Sequence, residues 1–142
     1  MTDAERLQAI YRHESRTLLQ YMLEASPWCD PADATSHHAL LDSMKAERLR
    51  LAELATVMQS QQIALPYLGA FTAAYTSYNF CSLRSVLPLL LAETRATLPQ
   101  LIEYRQAMTD ANPWLTAWVE HKEKLLHTLE AWSQSLTTPR SA

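Results

Sequence analysis

The sequence predicts an all-helical protein, a four-helix bundle with one long connection, and three observations carry that prediction. One glycine, Gly69, stands in 142 residues, leaving little room for hairpin turns that need positive φ. Leu, Ala, Glu, Gln and Arg are abundant, and these residues cost little in a helix. Apolar residues recur at three- and four-residue spacing in four stretches, bounded by helix start and stop signals.

The first helix starts at Thr2, where Thr-x-x-Glu to Glu5 has the spacing of a capping box. Leu7, Ile10, Tyr11, Leu18, Tyr21 and Met22 form its inward stripe, and it is expected to reach about Ala25, ahead of Pro27. Asp30-Pro31 opens the second helix with an N-cap and a proline whose missing N–H costs nothing there. That helix carries Leu40, Met44, Leu51, Leu54 and Met58 on one face, to about Ile63. The third spans roughly Ser82 to Met108 and is densely apolar from Leu83 to Leu91, which predicts burial on most sides. Pro88 and Pro99 fall inside it, so either it starts near Ser85 or it bends, with a kink expected at Pro99. Asn112-Pro113 repeats the start signal for the fourth helix, with Leu115, Trp118, Leu125, Leu126, Leu129 and Trp132 facing inward. The tail from about residue 136 to Ala142 lacks periodicity and is expected to fray.

Residues 64–81 connect the second and third helices. These 18 residues, extended, could span roughly 60 Å, which predicts a crossover along the bundle and parallel second and third helices. Five aromatic residues, Tyr67, Phe71, Tyr75, Tyr78 and Phe80, are expected to fasten it by burial against the bundle. The alternative is that they form a protein-binding or dimer-forming surface, with a second copy of the chain as partner.

The chain reads as one domain over residues 1–142, long enough to bury about two-thirds of its unfolded surface. Hydrophobic residues at 48% and charged ones at 19% exclude a disordered chain. Net charge −3 and a pI near 5.9 remove any global attraction to nucleic acid or anionic lipid. The densest basic run, Lys45 to Arg50, is interrupted by Glu47 and reads as a solvated helix face. No signal-peptide stretch and no run near the roughly 20 apolar residues of a membrane span are seen. Neither nucleic acid nor membrane is therefore an expected partner, and Cys29 and Cys81 have no metal or redox spacing. A reduced, cytoplasmic protein is the expectation.

Three charges break the inward pattern. Glu14 lies near the centre of the first stripe, Glu47 takes the same place in the second helix, and Lys122 does so in the last. An unpaired buried carboxylate costs several kcal/mol, so these groups must be paired, protonated or bound to metal.

A four-helix bundle with a long second connection and inward glutamates resembles the ferritin-like superfamily. The resemblance covers nearly the whole chain as architecture and a few residues as motif. In the metal-binding members the first and third helices each give a Glu, and the second and fourth each give Glu-x-x-His, holding two iron or manganese ions. Glu14 in Tyr-Arg-His-Glu-Ser matches the first position, Glu47 the second, and Glu93 in Leu-Leu-Ala-Glu-Thr the third. Both family histidines are missing: Arg50 follows Glu47 at three residues, and Leu125 follows Lys122. Glu120 points away from the stripe, Glu123 is on its flank, His121 is at its edge and His127 points outward.

A lysine among glutamates supplies positive charge without metal, lowering their pKa values and holding its own proton. The resemblance thus implies a non-catalytic binding or interaction protein with a buried network of Glu14, Glu47, Glu93 and Lys122 and no cofactor. The alternative is an iron- or manganese-binding oxidoreductase or metal-handling protein, with Glu14, Glu47 and Glu93 as ligands, joined by Glu123 or water. His37-His38 reads as an exposed pair, and His13, about 100° around from Glu14, as facing solvent or a neighbour's edge. Trp114, Trp118 and Trp132 read as core, and neither a phosphate-binding glycine loop nor a nucleophile arrangement is present. A phosphorelay histidine would need an exposed His followed closely by Lys and Gly, a setting that neither His38 nor His121 has.

Overall fold

The computed structural model describes residues 1–25 and 27–137. They are all-helical: α1 (Asp3–Glu14), α2 (Leu18–Ala25), α3 (Ala34–Ser60), α4 (Leu83–Ala107) and α5 (Pro113–Thr137), with 3-10 turns at Pro31–Asp33 and Ala73–Tyr78. No helix among the described residues is long and apolar enough to cross a membrane. Of the tail expected to fray from about residue 136, Leu136 and Thr137 are instead the helical end of α5, and residues 138–142 lie outside the described residues.

Caps act where their spacing predicts. Thr2 Oγ1 accepts from the Glu5 N–H while Glu5 accepts from the Thr2 N–H, a complete capping box. Asp30 caps one 3-10 turn before α3 begins, and Asn112 accepts from the Leu115 N–H at the start of α5. Ser82 accepts from the Ser85 N–H, so α4 begins at Leu83 and continues across both prolines. Pro88 and Pro99 are exposed, on the side where a missing backbone bond can be met by water. At the end of α3, Gln62 takes a left-handed φ of 58°. Its N–H reaches the Gln59 carbonyl and that of Ile63 reaches Met58, a Schellman closure without glycine.

The stretch expected to be one helix to Ala25 is two. α1 stops at Glu14, residues 15–17 turn, and α2 restarts at Leu18. Thr17 Oγ1 accepts from the Gln20 N–H at 3.3 Å, and Glu93 of α4 accepts from the Leu18 N–H at 3.0 Å. The restart is thus capped from its own chain and from across the interior.

The connection leaves α3 at Ser60 and runs beside α1 and α2. Gln8 donates to the Ala64 carbonyl, Arg16 donates to the Leu68 carbonyl and lies over Phe71, and Tyr21 packs on Phe71 and Tyr75 and donates to Asn79. Leu83 N–H then bonds the Trp28 carbonyl, and Arg84 grips Asp33 at 3.1 and 2.8 Å. α4 therefore starts where α3 starts, and the two run in the same direction. Phe71, Tyr75 and Tyr78 are half-buried against this frame. The expectation of burial fails for Tyr67 and Phe80, which are 89% and 91% exposed. Tyr67 lies just before the left-handed bend at Gly69, and Phe80 sits in the turn entering α4, where no helix face covers them.

Two apolar clusters form the core. One gathers Leu18, Met22, Leu40, Met44, Leu87, Leu90, Leu125 and Leu129; the other gathers Leu7, Ile10, Leu51, Leu54, Leu101, Leu115, Trp118 and Val119. On each helix the gap between the two clusters falls at the inward polar residues: Glu14, Glu47, Thr94 with Thr97, and Lys122. A polar layer divides the core.

Candidate functional site

Glu14 and Glu47 are fully buried and Lys122 nearly so. The Lys122 ammonium lies 3.1 Å from both carboxylate oxygens of Glu47 and 3.6 Å from Glu14 Oε2. Its Nζ also stands 5.1 Å from the centre of the Trp118 ring. Trp118 Nε1 donates to Glu14 Oε1 at 3.1 Å, and His121 Nε2 is 3.2 Å from Glu47 Oε2. Trp118, His121 and Lys122 recur at i, i+3 and i+4, which puts all three on one face of α5. At the other end His13 Nδ1 comes within 3.7 Å of Glu14 Oε2. The ionisable groups form a line, His13, Glu14, Lys122, Glu47, His121, across the molecule.

The electrostatics follow from this order. Burial alone would push the Glu14 carboxyl up; the Lys122 charge, then the contacts with His13 and Trp118, outweigh it and hold Glu14 below the usual carboxylate range. Burial would likewise lower Lys122, but Glu14 and Glu47 outweigh it and raise its pKa above the ordinary lysine value. The contact with Glu14 raises the His13 imidazole, burial notwithstanding.

Glu93 does not enter the ion pair expected of it. It is half-buried, and its carboxylate is turned to the N-terminus of α2, where the broken first helix presents a free Leu18 N–H. Burial raises its pKa, and the Leu18 N–H and the Lys122 charge offset this only in part. Glu123, named as a further ligand, is exposed, as is Glu120. Among the described residues no group of three or more His, Cys, Asp or Glu side chains is placed to hold a metal ion. The donor set thus does not fit a dimetal centre: an ammonium lies against both buried carboxylates, and the third carboxylate has turned elsewhere.

His121, Trp118 and His13 are the site residues that sequence reasoning undervalued. Their signal was spacing from Lys122 on α5, and for His13 adjacency to Glu14. Trp114 donates to the Arg50 carbonyl at 2.8 Å and stacks on Trp118, backing the layer as core residues do. Beside the layer, α1, residues 68–75 and α4 enclose a cleft of about 620 Å³, which Glu14, Glu93 and His13 border.

Compared with protein-family models, with curated proteins and with solved structures, the chain has no significant match.

The layer has a thermodynamic signature. Because Glu14 titrates lower in the folded state than in the unfolded one, its contribution is present above about pH 4.3 and is lost as pH falls through the depressed value. Replacing Lys122 with Met leaves both carboxylates buried without its ammonium, and the largest influence holding the Glu14 pKa down is gone while burial still pushes it up. Lys122→Met is expected to cost about 3–5 kcal/mol at neutral pH. That cost should shrink toward about pH 4, where the orphaned glutamates take up protons. Urea denaturation of both proteins across that range measures it, and equal stability at every pH would mean that Lys122 is not holding the layer.

Proposed function

We propose that the chain is a ferritin-like four-helix bundle that works as a non-catalytic binding or interaction protein. In this reading α1 and α2 share the first axis, and residues 61–82 are the crossover. Supporting it are the shared direction of α3 and α4 and the inward Glu14 and Glu47 at one level between the two apolar clusters. The observation that carries it is the Lys122 ammonium, 3.1 Å from both Glu47 oxygens and 3.6 Å from Glu14, a fixed positive charge where the metal-binding members hold iron or manganese. A bundle neutralised in this way needs no metal to hold its glutamates and offers no redox centre.

Protein purified from a metal-replete host without chelators is expected to hold well under one iron or manganese per chain. Stoichiometric metal that disappears in Glu14→Ala would favour the metal-handling alternative instead.

The partner in this reading is a second copy of the chain. Phe80 and Trp28 leave large apolar rings exposed at the end where α4 begins, joined by the bond from Leu83 to the Trp28 carbonyl. Sedimentation is expected to give a dimer that Phe80→Ser weakens, and a parent protein that is monomeric at high concentration would remove this partner.

A further inference from the structure

Glu14 Oε2 is sealed in the interior and has no hydrogen-bond donor. Trp118 serves the other oxygen, and the Lys122 ammonium, 3.6 Å away, gives its close bonds to Glu47. The ion pair is also one charge short of neutral, since Glu14 and Glu47 are two carboxylates and Lys122 is one ammonium. A buried acceptor without a donor is costly, and an uncompensated buried charge is more so. Glu47 has a further neighbour in His121 Nε2 at 3.2 Å. For Glu14 Oε2 that neighbour is His13 Nδ1, at 3.7 Å, just beyond a hydrogen bond.

His13 is placed to bring both the donor and the charge. One side of its imidazole lies against the sealed carboxylate and the other is in water, with 56% of the side chain exposed. It stands in the last turn of α1, where a cation meets the carbonyl end of the helix favourably. Charged and titratable groups face it from each neighbouring element: Arg12, Glu14 and Arg16 from its own stretch, Tyr75 from the connection, Glu93 and Tyr104 from α4, and Lys122 from α5. The contact with Glu14 is the largest influence and raises the imidazole pKa; Glu93 adds to it, while burial and Lys122 oppose it without cancelling it. The turn that follows hangs on the same residue. The His13 carbonyl accepts from the Arg16 N–H at 3.1 Å, and Arg16 holds the connection through the Leu68 carbonyl and the Phe71 ring.

We propose that His13 is a proton switch at the end of α1. Protonated, it closes on Glu14 Oε2, neutralises the layer and fixes the break at residues 15–17 with the connection laid over it; neutral, it leaves that end of the bundle loose. The switch adds regulation to the binding role and rests on the reading that Lys122, rather than metal, holds the buried glutamates. Its sign follows from linkage: a histidine whose pKa is raised by folding contributes fully below its unfolded value of about 6.5 and loses that contribution as pH rises through the folded value.

Amide hydrogen exchange of the full chain, corrected for its intrinsic pH dependence, and NMR titration of the five histidines test it. In the parent the Ser15 and Arg16 amides are expected to be roughly two- to fivefold better protected at about pH 6 than at about pH 8.5, the range of a half-exposed charge contact. His13 is expected to titrate above the ordinary value of about 6.5. His13→Gln should abolish the pH response and leave protection low throughout. His13→Lys, a permanent cation, should hold the protected state at both pH values. Equal protection of the parent at both, a His13 midpoint at or below the ordinary value, or a pH response that survives in either variant would each overturn the switch. In a metal-free preparation those results leave the Lys122 layer standing. Stoichiometric metal lost in Glu14→Ala would overturn layer and switch together.

Discussion

Lys122 is the charge on which the interior depends. It brings one ammonium to two carboxylates that have left water entirely, and removing any one of the three would strand the others. The apolar clusters on either side require only aliphatic packing, which tolerates rearrangement when volume and pattern are kept. The ion pair is less forgiving. A slip of α5 by one turn, about 5.4 Å, would carry Nζ out of reach of Glu47 and Glu14. A buried pair often adds little net stability against a hydrophobic replacement, and its best-attested use is to specify register. Here it ties α1, α3 and α5 together at one level.

The same layer shapes the chain around it. α1 ends at Glu14 itself, and the N–H groups freed by the break are met by Thr17 and by Glu93. Glu93 bonds the Leu18 N–H and acts on Lys122 only through charge, so the cation pairs closely with two carboxylates rather than three. The connection closes over the break, with Arg16 and Tyr21 holding Phe71 and Tyr75. What remains between it and α4 is a cleft bordered by His13, Glu14 and Glu93. Packing, charge balance and a ligand-sized space therefore share one origin.

Much of this was legible in the residues, and the reasons differ by feature. The starts at Thr2, Asp30 and Asn112 were legible because a cap is a local device that needs only its own turn. Glu14, Glu47 and Lys122 were legible because each violates an apolar stripe, and all three are buried. The break at residues 15–17 was hidden because the apolar period runs through it; the Thr17-x-x-Gln20 spacing was the one local sign of a restart. The role of Glu93 could not be read, since its partner is a backbone N–H 75 residues away that exists only because of the break. Tyr67 and Phe80 show the limit of residue type: aromatic character suggested packing, but their places at a bend and in a turn left them outside.

The central claim is that Lys122 is a buried, permanently charged ammonium shared by Glu47 and Glu14. The chain has only three lysines, Lys45, Lys122 and Lys124, so the side-chain nitrogen of each can be followed by heteronuclear NMR as pH is raised. The account predicts a slowly exchanging Lys122 ammonium signal that is lost in Lys122→Met and keeps its proton above the ordinary lysine value of about 10.4. A Lys122 nitrogen that exchanges rapidly with water, or that loses its proton at or below that value, would contradict it.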